Sequence, residues 1–278
     1  MALQDFITQI WTKSTGRQLN SPEDDWLLGP IGDSDLQINY ADKIAKEDNL
    51  YLDENSLESG LMEDDFFFKT ESDLKIDPKI LDFYQKTSNY NFGIEASWNP
   101  FFKIFSNLLQ LLFSNRLQQL NLPSKSADLN TSLISSILKL KNKSDDKTVW
   151  TIWNRKSAKT QKLIFSGIYT FCKIKDKDFF KIIFPLPNGN ASVLLEKEIL
   201  KDGSLVLKSN GKKFGESGFY FVLKDKKDQF YGRFVKTMHE RLDLKFNNDK
   251  QQIDALHQFS IWGITFLKLK YTIKEKVN

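Results

Sequence analysis

The feature that most constrains the fold is in residues 148–273, where short stretches of alternating apolar and polar residues are separated by polar turns. Asn188-Gly189, Asp202-Gly203 and Asn210-Gly211 favour positive φ and therefore tight hairpin turns. Strands joined this way pair as antiparallel neighbours, and a long series of them favours a barrel-like sheet because closure removes exposed edges. The pattern predicts strands at about 148–156, 162–174, 178–186, 190–199, 203–209, 217–224, 229–237, 239–247 and 256–273.

The N-terminal half is predicted to contain helices rather than strands. Apolar residues recur there at helical spacing, and Asp77 followed by Pro78 is typical of a helix start. One of these helices, at 100–120, has a wide apolar face rich in Phe and Leu, which either packs on the sheet or lies in a membrane interface. Its polar face carries only Lys103 and Arg116 as cations, which favours packing on the sheet. The predicted helices cover 3–11, 41–50, 77–86, 100–120 and 129–140.

These patterns predict an α+β protein in which N-terminal helices and loops pack on a C-terminal antiparallel β-meander. This meander is either a curved sheet or barrel-like. We expect residues 1–145 to form an acidic, mainly helical and loop-rich part, and residues 146–278 to form the β domain, packed together as one unit. The strand predicted at 162–174 is apolar on both faces and so needs a second layer. The helix at 100–120 is expected to supply that layer.

The net charge of +4 hides an uneven distribution along the chain. Residues 1–98 contain 20 Asp and Glu against 8 Lys and Arg, whereas the remainder contains 16 against 32. A basic half can attract nucleic acid or a membrane. The lysines are spread along strands and turns rather than clustered, which favours the simpler interpretation that the acidic part packs on the basic part of the same chain.

The remaining composition indicates a soluble, cytoplasmic protein without a membrane span. The single cysteine, Cys172, excludes an intramolecular disulfide and a thiolate metal cluster. The N-terminus does not resemble a secretory signal, and no apolar run reaches the roughly 18–20 residues that span a bilayer.

No catalytic or cofactor motif is found, so we expect no cofactor and no metal, and the sequence leaves enzymatic activity undecided. The acidic cluster Glu63, Asp64 and Asp65 lacks the spacing of a calcium loop. No RNP-like or helix-turn-helix signature accompanies the basic strands, so nucleic acid is not an expected partner.

Candidate ligand-binding residues are identified from strand parity, the alternation of side chains between the two faces of a strand. His257 shares a face with Phe259 and Ile261, so in a continuous strand its imidazole points inward. Such a histidine is either a core residue hydrogen-bonded to backbone or an acid/base or ligand contact.

Aromatic residues next to arginine supply the other candidates. Trp153 and Arg155 share one face of their strand, as do Tyr231 and Arg233, and Trp262 follows His257 in the last predicted strand. An arginine among aromatic rings inside a barrel suits an anionic or planar ligand, while on an outer face its stem covers apolar surface.

Three functions remain open at this point. The first is a non-enzymatic barrel-like module that binds an apolar or amphipathic small molecule, because aromatic residues exceed what one sheet face needs. In architecture such a meander barrel resembles the lipocalin-like ligand binders. The second is an enzyme that uses His257 as acid or base. The third is a subunit that binds a protein partner through the acidic N-terminal region.

Overall fold

A computed structural model describes residues 3–32, 40–53, 59–69, 74–99, 131–161 and 163–276. These residues form three α-helices and a 14-stranded sheet in which every pairing between strands is antiparallel. The helices are α1 (Leu3–Thr15), α2 (Tyr40–Glu47) and α3 (Pro78–Gln85). The strands are β1 (Arg17–Gln18), β2 (Leu50–Asp53), β3 (Tyr90–Trp98), β4 (Thr131–Asn142), β5 (Thr148–Ser157), β6 (Leu163–Ile174), β7 (Lys177–Leu186), β8 (Gly189–Ile199), β9 (Leu205–Lys208), β10 (Gly218–Lys224), β11 (Phe230–Val235), β12 (Met238–Asn247), β13 (Gln252–Ile261) and β14 (Ile264–Glu275).

Ten of these strands close into a barrel. The order around the wall is β3, β4, β5, β6, β7, β8, β9, β12, β13 and β14, and β14 returns to β3. The pairing of β3 with β14 closes the barrel, and it extends from Tyr90, opposite Glu275, to Trp98, opposite Leu267. The antiparallel, barrel-like sheet is therefore confirmed, and the predicted α+β class holds broadly, although the described helices are few.

Strand β8 pairs with two different strands along one of its edges. Its residues 189–194 pair with β10, and its residues 196–199 pair with β9. The barrel wall continues from β9 to β12, whereas β10, β11 and the short β1 form a side sheet that branches from β8. Helix α1 packs on this side sheet, where the Trp11 and Phe221 rings meet edge-to-face at 5.9 Å.

N-terminal segments close the end of the barrel where β6 ends and β7 begins. The 3-10 turn Phe66–Phe68 places Phe67 5.2 Å from Phe171, and α3 places Phe83 5.7 Å from Phe92, between ring centroids. Phe67 is fully buried and Phe83 nearly so. Edge-to-face and tilted aromatic contacts of this kind bury large areas, so this end of the barrel is a packed core.

The three helices that fall in the described N-terminal segments form where the sequence predicts them. Helix α3 also begins as predicted: the Asp77 carboxylate accepts a hydrogen bond from the backbone N–H of Lys79 at 2.8 Å, and Pro78 occupies the first turn. This cap satisfies one of the free donors at the helix start.

Both faces of β6 are covered, as its apolar pattern predicts. Tyr169 and Phe171 face the barrel interior, whereas Ile168 and Cys172 face outward. Helix α2 covers Ile168, and the segment at residues 19–28, the clasp segment, covers Cys172. The helix predicted at 100–120 lies outside the described residues.

Two predicted elements are wrong. The helix predicted at 129–140 is strand β4, because its apolar residues pack alternately on the barrel interior and beneath α2. The single strand predicted at 256–273 is the hairpin β13–β14, which turns at Trp262 and Gly263, both with positive φ. The division of the chain at residue 145 stays a prediction, although β3 and β4, which precede it, pair within the barrel.

Lys181 fixes the clasp segment to the barrel wall. Its side chain is 2 % exposed, and its ammonium group donates to the carbonyl oxygens of Trp26 at 2.7 Å and Leu28 at 2.6 Å. It forms no ion pair within the described part of the chain. Burial lowers the pKa of Lys181 from 10.5 to about 8. The clasp segment is therefore held by a charge that is costly to bury.

The contribution of Lys181 to stability should rise with pH. Its pKa is lower in the folded chain, so between about pH 8 and 10.5 the unfolded chain binds more protons, and folding becomes more favourable as pH rises. Relative to Lys181→Met, the wild-type free energy of unfolding in urea should increase by about 1–3 kcal/mol across that range. Lys177→Met removes an exposed lysine from the same strand and is the matched control. A pH dependence no larger than that of the control contradicts the prediction.

Candidate functional site

The barrel encloses an internal cavity of about 170 Å³. An apolar cavity of about 150 Å³ holds benzene, so this one accommodates a molecule about the size of a single ring with a substituent. Its wall is mostly aromatic and aliphatic and includes Phe92, Trp98, Trp153, Phe165, Tyr169, Phe180, Phe184, Phe259 and Phe266. A small number of polar groups in an apolar wall is the usual composition of a small-molecule site.

A larger, open groove of about 940 Å³ lies on the outer side of the barrel. Several of its charged groups have partners: Lys245 reaches Asp202 at 2.9 Å, and Asp254 accepts a hydrogen bond from Asn247 at 3.0 Å. We therefore place the candidate site in the internal cavity, where buried polar atoms lack partners.

Arg155, near the end of β5, brings a positive charge into the cavity. Its side chain is 7 % exposed, and its guanidinium carbon lies 4.0 Å from the Trp153 ring centroid and 3.9 Å from that of Phe165. One terminal nitrogen donates to the Tyr169 hydroxyl at 3.5 Å, and the side chain also hydrogen-bonds to Tyr271, whereas the buried Nε has no hydrogen-bond partner among the described residues. The arginine is stabilised by cation–π contacts but makes no ion pair with the described residues.

Glu240 of β12 and His257 of β13 form a second polar group in the cavity. His257 Nε2 lies 3.2 Å from Glu240 Oε2, and the His257 ring lies 4.1 Å from the Phe259 ring. The Glu240 side chain is almost completely buried, and its other oxygen, Oε1, has no partner among the residues that the structure describes. The carboxylate therefore orients the imidazole and keeps one acceptor available to the cavity.

Two tyrosines and a tryptophan complete the polar lining. Burial raises the pKa of Tyr169 and of Tyr271, and the neighbouring Arg155 opposes the rise in both. Both hydroxyls therefore stay protonated near neutral pH. Trp98, at the end of β3, contributes an indole N–H that is buried without a hydrogen-bond partner in the described segments.

Three of the six residues predicted for binding come together in this cavity. His257, Trp153 and Arg155 all line it, because parity places each on the inner face of its strand. His257 does not bond to backbone, the arrangement expected of a core histidine, but to the carboxylate of Glu240. A role for these residues in binding stays a prediction.

The predicted residues Tyr231 and Arg233 lie on β11, in the side sheet rather than in the barrel wall. The Tyr231 hydroxyl donates to Gln229 at 3.1 Å. The Arg233 guanidinium carbon lies 5.2 Å from the Trp11 ring centroid of α1, so the arginine covers apolar surface outside the cavity.

The predicted residue Trp262 is also outside the cavity. It occupies the turn between β13 and β14 at a φ of 50°, and its side chain is 63 % exposed. The prediction placed it in a continuous strand, and the hairpin turn removes it from the inner face.

Four further residues line the cavity and were not predicted as site residues: Glu240, Tyr169, Tyr271 and Trp98. A signal for Glu240 was available, because it shares parity with Met238, Leu242 and Leu244 and is the single acid in that apolar register. An acid at an inward position of a half-solvated strand indicates a buried polar function.

Acidic residues of the N-terminal part also pair with lysines of β4. Lys139 pairs with Glu63 at 3.0 Å, and Lys141 pairs with Asp53 at 2.9 Å. Within the described segments no group of three or more His, Cys, Asp or Glu side chains is arranged to hold a metal ion.

The fold and cavity thus define a closed antiparallel barrel with polar groups buried in an aromatic interior. No protein family matches the chain, and no solved structure matches it. The chain is similar to the uncharacterized membrane protein YndJ of Bacillus subtilis (strain 168), with 26% identity over 229 residues. The similarity covers 81% of this chain and 40% of the relative, so the chain spans about two fifths of the length of that protein.

This similarity corrects one prediction. The expectation of a soluble, cytoplasmic protein is wrong, because the relative, which is similar over most of the chain, is named a membrane protein. Of the helices that the structure describes, none combines the length and the apolar character needed to cross a bilayer.

The Glu240–His257 pair should show strong energetic coupling. His257→Leu leaves a buried carboxylate without its partner and should lower the free energy of unfolding by about 2–4 kcal/mol. The double variant Glu240→Leu/His257→Leu should be more stable than the sum of the single effects predicts, by at least about 1 kcal/mol in denaturant titrations.

The control for this cycle is the exposed pair Arg241 and Asp243 on the same strand, whose side chains lie 2.7 Å apart. Its coupling should stay below about 1 kcal/mol. Equal coupling in the two cycles contradicts a buried, structurally demanding Glu240–His257 pair.

Proposed function

We propose that the barrel binds a small apolar or amphipathic molecule in its internal cavity. The observation that carries this proposal is that Arg155 Nε, Glu240 Oε1 and Trp98 Nε1 are all buried without partners in the described part of the chain, and that all three belong to residues that line one cavity. Buried polar atoms are normally hydrogen-bonded, and each unsatisfied one lowers stability. A bound molecule that supplies partners removes this deficit.

The size and composition of the cavity limit the ligand. A volume of about 170 Å³ suits a single ring or a short chain rather than a long acyl chain. The aromatic wall favours planar molecules, since rings stack or meet edge-to-face with their neighbours. The polar atoms require that the ligand also carry hydrogen-bonding groups.

We propose in addition that the barrel works at a membrane. The support is the similarity to a protein named a membrane protein, of whose length this chain covers 40%. A catalytic role for His257 and a protein partner for the acidic N-terminal region remain predictions.

Membrane association is tested by fractionation. The full chain with a C-terminal epitope tag, expressed from its own promoter in its native host, should sediment with membranes at high speed. Recovery of the tagged chain entirely in the supernatant, while a known integral membrane protein sediments, contradicts the proposal.

Ligand binding is tested with phenol, which combines one ring with one hydroxyl. Phenol should bind the purified chain in ligand-observed NMR and raise its melting temperature in a concentration-dependent manner. Ala191→Leu, which fills the cavity wall on β8, should weaken phenol binding by at least about tenfold relative to wild type.

Ala158→Leu is the matched control, because Ala158 is exposed in the turn between β5 and β6. This variant should bind phenol like the wild type. The absence of binding in the wild type, or an equal loss of affinity in both variants, contradicts a ligand site in the barrel interior.

A further inference from the structure

We infer that the cavity selects a small carboxylic acid that also carries a hydrogen-bond donor, with Arg155 holding the carboxylate and Glu240 accepting from the donor. This inference rests on the proposed ligand-binding function and specifies the chemistry of the ligand.

Arg155 carries a buried positive charge. A guanidinium is always ionised in proteins, and a buried charge is costly unless it is paired. The side chain of Arg155 is 7 % exposed, and its hydrogen-bond partners among the described residues include the hydroxyls of Tyr169 and Tyr271, which are both neutral. The rings of Trp153 and Phe165 stabilise the cation but supply no negative charge.

The guanidinium of Arg155 also has a geometry that suits a carboxylate. Its nitrogens present a planar fork of donors that matches the two oxygens of a carboxylate. The Nε donor is buried and unpartnered, so part of that fork is available. A planar acid attached to a ring also fits between the aromatic side chains that surround Arg155.

Glu240 determines the second group on the ligand. One oxygen of Glu240 lies 3.2 Å from His257 Nε2, while Oε1 is buried and has no partner within the described ranges. An ionised carboxylate only accepts hydrogen bonds, so the ligand must present a donor to Oε1. The same carboxylate repels a second acid, and a molecule with one acid group and one donor group therefore fits better than a diacid.

The test uses 4-hydroxybenzoate together with two close analogues. The neutral analogue, 4-hydroxybenzyl alcohol, lacks the charge, and benzoate lacks the donor. Calorimetric titration of the full chain should show that 4-hydroxybenzoate binds at least about tenfold tighter than the alcohol and several-fold tighter than benzoate.

Substitutions should remove these preferences separately. Arg155→Met should abolish the preference for the acid over the alcohol, and Arg155→Lys, which keeps the charge but not the fork, should retain part of it. Glu240→Leu should abolish the preference for 4-hydroxybenzoate over benzoate. Arg233→Met is the matched control, because Arg233 also has a buried, unpartnered Nε beside a tryptophan but lies outside the cavity.

The outcomes separate the two levels of the proposal. If the wild type binds the alcohol as tightly as the acid, or if Arg155→Met and Arg233→Met have equal effects on the preference, the inferred acid selectivity is wrong while ligand binding in the barrel stands. If the wild type binds none of the three probes and does not bind phenol, the proposed function fails, and the inference fails with it.

Discussion

Backbone pairing between β3 and β14 is the interaction on which the rest of the structure depends. Without it, the barrel opens and leaves two long strand edges whose N–H and C=O groups lack partners. The closing strand comes from the N-terminal part of the chain, directly after α3, whose aromatic side chains fill one end of the barrel. Trp98, at the other end of β3, lines the cavity. One strand therefore couples closure, the packed end and the candidate site.

The sequence predicts most of the C-terminal strands because their periodicity and turns are local signals. It fails where packing on both sides obscures the period. In β4, Leu133 and Ile137 face the barrel interior while Leu140 packs beneath α2, so apolar residues on two faces imitate a helical pattern. It fails again at Trp262, because a tryptophan at positive φ is not a residue that signals a turn.

Residues of the candidate site can be predicted where the alternation of side chains between the two faces of a strand can be followed. Parity places His257 and Arg155 inside the barrel, and the same rule identifies Glu240 once its register with Leu242 is followed. The position of Tyr231 and Arg233 could not be predicted in this way. Their strand alternates apolar and polar residues as a barrel strand does. However, β8 pairs with both β9 and β10 along one edge, and no local sequence signal shows that β10 and β11 lie outside the barrel wall.

Apolar side chains fill most inward positions of the barrel, so its buried polar residues need an explanation other than packing. Inward positions on neighbouring strands carry Phe180, Val193 and Leu195, and apolar replacement of a buried ionic group is often neutral or stabilising. Each unsatisfied buried polar atom costs about 1–3 kcal/mol. The polar residues are also unevenly placed: Trp98 ends β3, Arg155 lies near the end of β5, and Glu240 lies near the start of β12. All three therefore lie toward the end of the barrel opposite the α3 aromatic residues. This uneven placement of the unsatisfied polar atoms supports the proposed ligand-binding function.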